Sequence, residues 1–402
     1  MIIEQSGAAV LRDDGDPAAS DRLLFDRALE CAGDAAAGLE LAAWFGRSAP
    51  GPGSGRTLEL WQSLATLAAA DPTIARIVEP HLDALAILAE VPDAVDLTPI
   101  GATPASTWGV YAAEAAGMTL EATPIDDRWV LTGTKPWCSL AALVSHCLVT
   151  ASQPDGRRRL FAVRLDARAT VHAGVWAARG LTAVPSGPVD FDAAPAVPVG
   201  EAGWYLERSG FAWGGIGVAA IWWGATLGIA RLVASTAAAR PPDQIGLMHL
   251  GRIDEQLWAA RSVLREAAAV VDGGGAGRHD ARMLAARTRA VVASCAERVL
   301  LSAAHALGPG PLALDPAHAG RVADLELYLR QHHAERDSAA LGRMVLDGPP
   351  IDGPPIDGPP IDGPPIDAPP IDGPPIDGPS PDGPSPDGPS PDGPSLERGR
   401  PW

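Results

Sequence analysis

Two adjacent histidines, His332 and His333, stand in "RVADLELYLRQHHAERD" (321–337), with Glu335 and Asp337 close behind. An imidazole with a reference pKa of about 6.5 is a competent acid or base near neutrality. It serves equally as a metal ligand or a hydrogen-bonded core residue. Helical phase separates the two rings. Val322, Leu325, Leu329 and His332 make one apolar stripe, and Glu326, Arg330, His333 and Asp337 a polar one. His332 is therefore expected to point inward and His333 outward. Neighbours on a helix lie about 100° apart, so the pair cannot easily share an ion. No H-E-x-x-H or doubled Glu-x-x-His accompanies them, and no metal site is expected. For His332 a core histidine and a catalytic base both remain open. Glu335 lies one turn on, placed to orient the ring or to act itself.

Two further stretches carry residues suited to ligand contact. "TGTKPWCS" (132–139) places Trp137 two positions before Ser139. An indole is a flat apolar wall and a hydroxyl donates one hydrogen bond. Taken alone, Trp137 is as readily an ordinary packing residue. "HALGPGPL" (305–312) holds Gly308 and Gly310, which let a backbone approach a phosphate closely. A helix stop explains the same glycines.

These residues need elements to position them, and the chain is long enough, at 402 residues, for two or three domains. Residues 1–100 repeat apolar positions at i, i+3, i+4 and i+7 and read as an N-terminal helical domain, with Asp71-Pro72 as a helix start. Residues 101–200 turn to short β-branched runs broken by Gly, Pro and Asp, with "IDDRW" and "PDGRR" as hairpin turns. They read as an antiparallel β-barrel or sandwich. Residues 201–346 return to helices at about 211–235, 249–272, 279–306 and 317–346, a four-helix bundle. The fold class is α+β, mostly α. From Asp347 the unit "DGPPI" repeats, then "DGPSP". Such a run has no apolar face to bury and is expected to stay disordered, a tolerated product of repeat expansion rather than a binding motif.

Charge and cysteines narrow the class. Half of the net charge of −18 lies in the 347–402 segment, so the rest is mildly acidic and nucleic-acid binding is disfavoured. Cys31, Cys138, Cys147 and Cys295 show no C-x-x-C spacing and read as reduced thiols of a cytoplasmic protein. "MIIEQSGAAV" has no signal-peptide pattern. Residues 209–230 carry no charge, yet six are glycine, and a helix buried all round is expected rather than a membrane span.

The order helices, sheet, bundle resembles the acyl-CoA dehydrogenase family. "WVLTGTKPWCSLAALVSHCLVTA" (129–151) resembles the family's β-domain signature, and "ARGLTAVPSGPVDFDAAPAVPVGEAGWYLERSGFAWGG" (178–215) the strand pair and glycine-rich entry into the bundle. The resemblance implies FAD between sheet and bundle, an acyl-CoA as small-molecule substrate, and a homodimer or homotetramer; it names no electron acceptor. It places Trp137 against the flavin and Ser139 at the family's threonine. "VYAAEAAGMT" (110–119) stands at the family's Thr-Glu-Pro and Gly-Ser-Asp loop, where Ala112 and Ala113 keep only backbone groups for the ring. Gly308 and Gly310 match the turn near the pyrophosphate. Ala113 and Met118 replace hydroxyl residues, and the arginine before Phe-Gly is missing, so the implied FAD is held weakly or not at all on that side. His332 falls where one subgroup keeps its catalytic glutamate. No Asp or Glu lies between Arg208 and Pro242, where other relatives keep theirs. Three readings follow: an acyl-CoA dehydrogenase-like flavoprotein, a flavin monooxygenase of the dibenzothiophene-monooxygenase type, and a non-catalytic paralogue.

Overall fold

A computed structural model describes residues 7–11, 18–274 and 278–347; the repeat segment falls outside them. Four helices come first: α1 (Ala19–Glu30), α2 (Ala35–Gly46), α3 (Thr57–Ala70) and α4 (Pro72–Glu90). The run from Arg22 to Phe45 reads as one helical stretch, but it breaks. Gly33 takes φ +80°, and the Asp34 carboxylate accepts the N–H groups of Ala36 and Ala37, starting α2 afresh. Asp71 caps α4 as its type and place predict, taking the Ile74 N–H at 3.0 Å ahead of Pro72.

Seven strands follow: β1 (Trp108–Tyr111), β2 (Leu120–Ile125), β3 (Arg128–Ser139), β4 (His146–Ser152), β5 (Arg158–Arg164), β6 (Ala169–Val171) and β7 (Ser186–Val199). β2–β3, β3–β7, β7–β5 and β5–β4 pair antiparallel, and Glu121 opposite Ser152 joins β2 to β4, so the path closes on itself. The sheet is mixed, not purely antiparallel, because β1 lies parallel to β4. Inside it the Lys135 ammonium, 1% exposed, donates to the Thr150 carbonyl and hydroxyl and pairs with Glu114 at 2.8 Å. A buried ammonium needs such a set of acceptors.

The remaining helices are α5 (Trp204–Glu207), α6 (Ser209–Ala239), α7 (Gln244–Asp272), α8 (Arg278–Leu307), α9 (Pro309–Leu314), α10 (Pro316–Tyr328) and α11 (Glu335–Asp347). α6 and α8 are long and apolar enough to cross a membrane, but 89% of the apolar window of α6 is buried against the rest of the chain, as its all-round apolarity predicts. Its glycines allow the close approach. A Cβ on Gly224 would lie 2.1 Å from the Ala65 carbonyl oxygen of α3. Gly224→Ala is therefore expected to force α3 and α6 apart and cost about 1–3 kcal/mol, read as a lower urea midpoint at unchanged slope.

The last helix differs from the sequence reading. It is not continuous over 317–346: a 3-10 turn at Leu329–Gln331 ends α10, His332 is extended (φ −91°, ψ 118°), and Ala334 takes φ +46°. Side chains from elsewhere stabilise the break. Arg289 of α8 donates to the Gln331 carbonyl at 2.9 Å, and Asp337 accepts the His333 N–H at 3.0 Å.

Candidate functional site

α4, a mostly apolar helix, carries Arg76, Glu79 and Asp83 on one face, spaced i, i+3 and i+7, with Glu90 at its C-terminal end. That face meets the sheet and the bundle. Arg76 and Glu79 pair at 3.1 Å, each side chain 15% exposed. Pro80 follows in mid-helix and has no N–H, so the Arg76 carbonyl lacks its helical donor. Arg208, at the start of α6, is 2% exposed and reaches Glu90 at 2.5 Å and Asp83 at 3.5 Å.

A cavity of about 680 Å³ opens beside this stripe. Its walls include Val110 of β1 and Ala112 just past it, Gly215 of α6, Arg289 of α8, and Gln331 and His333 at the break. Its volume is within the ordinary range for small-molecule sites, about 300–1,000 Å³. Arg76, Arg208, Arg282 and Arg289 line it against Glu79, Asp83 and Asp337, so cationic groups predominate. A second cavity of about 230 Å³, mostly apolar, lies between α3, α4, α6 and the 49–52 loop. Glu79, Asp83 and Gly214 line both, a common wall. Burial pushes the Glu79 carboxyl up to about 7 despite the Arg76 guanidinium beside it, and raises Asp83 against Arg208.

Next to the larger cavity lie three buried polar atoms that find no hydrogen-bond partner among the described residues: Trp222 Nε1, Tyr328 Oη and His332 Nε2. The Trp222 ring stands edge-on to Tyr328 (6.5 Å) and to His332 (6.4 Å), with the Arg289 guanidinium 4.7 Å above it. Buried polar groups without partners are uncommon and mark a position for water or a ligand.

The residues singled out from sequence fall in three places. Ala112, the first residue past β1, lines the larger cavity, and Ala113 is the next residue along the chain. Ser139 accepts from Arg76 at 3.2 Å and shares a hydrogen bond with Ser186 at 2.8 Å, so its hydroxyl joins the α4 stripe to the sheet. Trp137 sits on a bulge where the β3–β7 register shifts, with φ +59° and 57% exposure. It does not line the cavity. A bulge re-aims a side chain, and a bulky residue at positive φ stores strain that its surroundings must hold. His332 faces inward at 12% side-chain exposure, and burial lowers its pKa so the ring is neutral at pH 7; His333 faces out at 65%. Glu335 is exposed on the first turn of α11 and lines neither cavity. Gly308 and Gly310 lie at the α8–α9 junction, where a Cβ would meet nothing within 4 Å. Arg76, Glu79 and Arg289 are missing from the sequence reading. The signal for the first two was a charged stripe inside the apolar run "TIARIVEPHLDALAIL" (73–88).

α4 also holds a group that sets its acid sensitivity. His81 is 3% exposed, and burial pushes its pKa down to about 4. The unfolded chain binds this proton below about 6.5 while the folded one does not, so stability is lost as pH falls from 6.5 toward 4. Chemical unfolding at pH 5 is expected to give about 2 kcal/mol less from this group than at pH 7.

No family model and no curated protein matches the sequence. Solved structures do. TdsC from Paenibacillus sp. A11-2, a dibenzothiophene monooxygenase solved with FMN and indole, is 18% identical, with a TM-score of 0.65 over 81% of this chain and 97% of that one. A variant of the steroid ACAD Tcur3481–Tcur3483 is 21% identical, with a TM-score of 0.63 over 82% and 96%. KijD3, solved with FMN and a dTDP-linked amino keto sugar, is 18% identical, with a TM-score of 0.65 over 85% and 95%. The chain therefore has the fold that its sequence resembles, that of the acyl-CoA dehydrogenases and the flavoenzymes built like them.

Proposed function

We propose that the chain is a FAD-dependent oxidoreductase that dehydrogenates an acyl thioester, taking a proton and a hydride from adjacent carbons. The observation that carries the reading is the cation-lined cavity between β1 and the helices, with Trp222 Nε1, Tyr328 Oη and His332 Nε2 left without partners beside it. A flavin ring presents several acceptors and one donor, and these residues fit it. The backbone at Ala112 and Ala113, just past β1, the His332 imidazole and the Arg289 guanidinium would hold the ring; Ser139 reaches this face through Arg76, and Trp137, outside the cavity, could meet only a part of the cofactor that extends beyond it. A bound flavin supplies the hydride acceptor, and a guanidinium near it stabilises negative charge. Gly308 and Gly310 are proposed for the phosphate end. His332 is proposed as an acid–base or hydrogen-bonding residue toward the ring, with Glu335 as the other expected participant. A cytoplasmic homodimer or homotetramer belongs to the same reading.

The test is the visible absorbance of the purified chain, with acyl-CoAs then added in the absence of oxygen. Bleaching of a bound flavin is the expected result; a flavin that no acyl-CoA bleaches contradicts the dehydrogenase. A monooxygenase is the second reading. It is favoured by His332 standing where the dehydrogenases keep a carboxylate, and by the likeness to TdsC with its FMN and indole. Oxygen uptake driven by an added flavin reductase would select it.

A further inference from the structure

Neither bundle position that carries a base in relatives of this fold has a carboxylate here. The structure offers one elsewhere. Glu79 projects from α4 into the partition between the two cavities, where one side is apolar and the other lined by guanidinium groups. The apolar side has two buried indole N–H groups, those of Trp61 and Trp213, that find no hydrogen-bond partner among the described residues. Gly217 keeps that space open: a Cβ there would sit 3.6 Å from Trp61 Nε1.

We propose that Glu79 is the catalytic base of the site, acting from the N-terminal helices on a substrate that spans the partition. This rests on the acyl-thioester reading above. The apolar cavity takes the acyl chain, and the Arg76–Arg208 end of the guanidinium-lined cavity takes the thioester, beside the space proposed above for the flavin ring, with its anionic carrier outside. The Glu79 carboxylate accepts the proton from the carbon beside the carbonyl. The C–H electron pair moves into the new C=C bond of an enolate, and the negative charge settles on the carbonyl oxygen. The reverse step returns the proton, so exchange at that carbon balances without any oxidant.

The charged and titratable neighbours are consistent with this role. Arg76 and Asp83 flank Glu79 on α4, Arg289 faces it from α8, Tyr205 from α5 and Tyr328 from α10, while Arg208 at the start of α6 pairs with Asp83. Burial raises the carboxyl to about 7, and Arg76 at 3.1 Å holds it in place and opposes that rise. A base whose pKa lies near the working pH is the efficient choice.

The test uses the full chain, octanoyl-CoA and D2O buffer. Equilibrium dialysis reads binding, and proton NMR reads deuterium entering the carbon beside the thioester. The wild type is expected to bind and exchange, with a rate that rises through about pH 7 and then levels. Glu79→Gln is expected to bind within about twofold and to exchange about 100-fold or more slowly. Glu79→Asp keeps part of the exchange with the same inflection, and it carries the test if the glutamine variant does not fold. Exchange in Glu79→Gln at the wild-type rate overturns the assignment. So does a wild type that binds octanoyl-CoA and does not exchange, an outcome that spares the acyl-thioester reading. A wild type that binds no octanoyl-CoA overturns that reading and the role of Glu79 with it.

Discussion

Arg208→Met is expected to lower the stability of the fold by about 3 kcal/mol. Arg208 is 2% exposed and ties the C-terminal half of α4 to the start of α6 through Glu90 and Asp83, while its guanidinium lies 5.3 Å from the Tyr205 ring centroid. Glu90 also accepts the Gly210 N–H at 3.2 Å, so its carboxylate stands at the positive end of α6. Glycine at 210 leaves room for this carboxylate, since a Cβ there would lie 2.0 Å from Glu90 Oε2 and the side chain would have to shift. Removing one partner of a buried pair costs about 3–5 kcal/mol, since the other charge is left without compensation. The lower end applies because Asp83 and Glu90 keep 21% and 33% exposure. Urea unfolding checks the value. The double variant Arg208→Met with Glu90→Gln should lose less than the sum of the two single losses, because one ion pair is shared.

How much of this was legible beforehand differs element by element. α6 announced itself, because 22 uncharged residues rich in glycine have few uses other than a helix packed closely on all sides. The turn at Asp126-Asp127 was legible too, and Asp126 takes φ +52°. The parallel pairing of β1 with β4 was not. Its register joins Trp108 to His146 across the whole β2–β3 hairpin, and no local period encodes a partner that far away. The break at His332 was hidden for a related reason: the donor to the Gln331 carbonyl is Arg289, about forty residues upstream on another helix. The phase argument still put His332 inward, because the first turns of α10 fix the approach before the helix ends.

The site itself was half legible. The Trp137–Ser139 motif and β1 come from a recognisable strand pattern. The α4 stripe escaped because Arg76, Glu79 and Asp83 at i, i+3 and i+7 look like the wet face of an amphipathic helix. Only the tertiary arrangement turns that face inward, and a charged stripe that is buried is evidence for a site.

His332→Ala is expected to reduce turnover by about 100-fold or more while leaving a folded protein. The His332 ring is held by contact with Trp222 and by its place at the break, and its Nε2 has no partner within hydrogen-bond reach, with Asp337 at 3.9 Å. A neutral imidazole in a dry site offers one directed hydrogen bond, and removing one such preorganised donor costs about 10²–10³ in rate. His332→Asn, which keeps a donor, should recover part of the loss. The melting temperature and flavin affinity of the alanine variant separate a catalytic role from a packing one. Turnover unchanged in His332→Ala removes this residue from the chemistry.

A flavin is expected to occupy the space between β1, Arg289 and His332. Titrating FAD, and separately FMN, into the purified chain while following flavin fluorescence measures this directly. Saturable quenching is predicted for at least one of the two. Failure of both flavins to bind at any concentration tried would contradict the account and leave a shared fold without its redox chemistry.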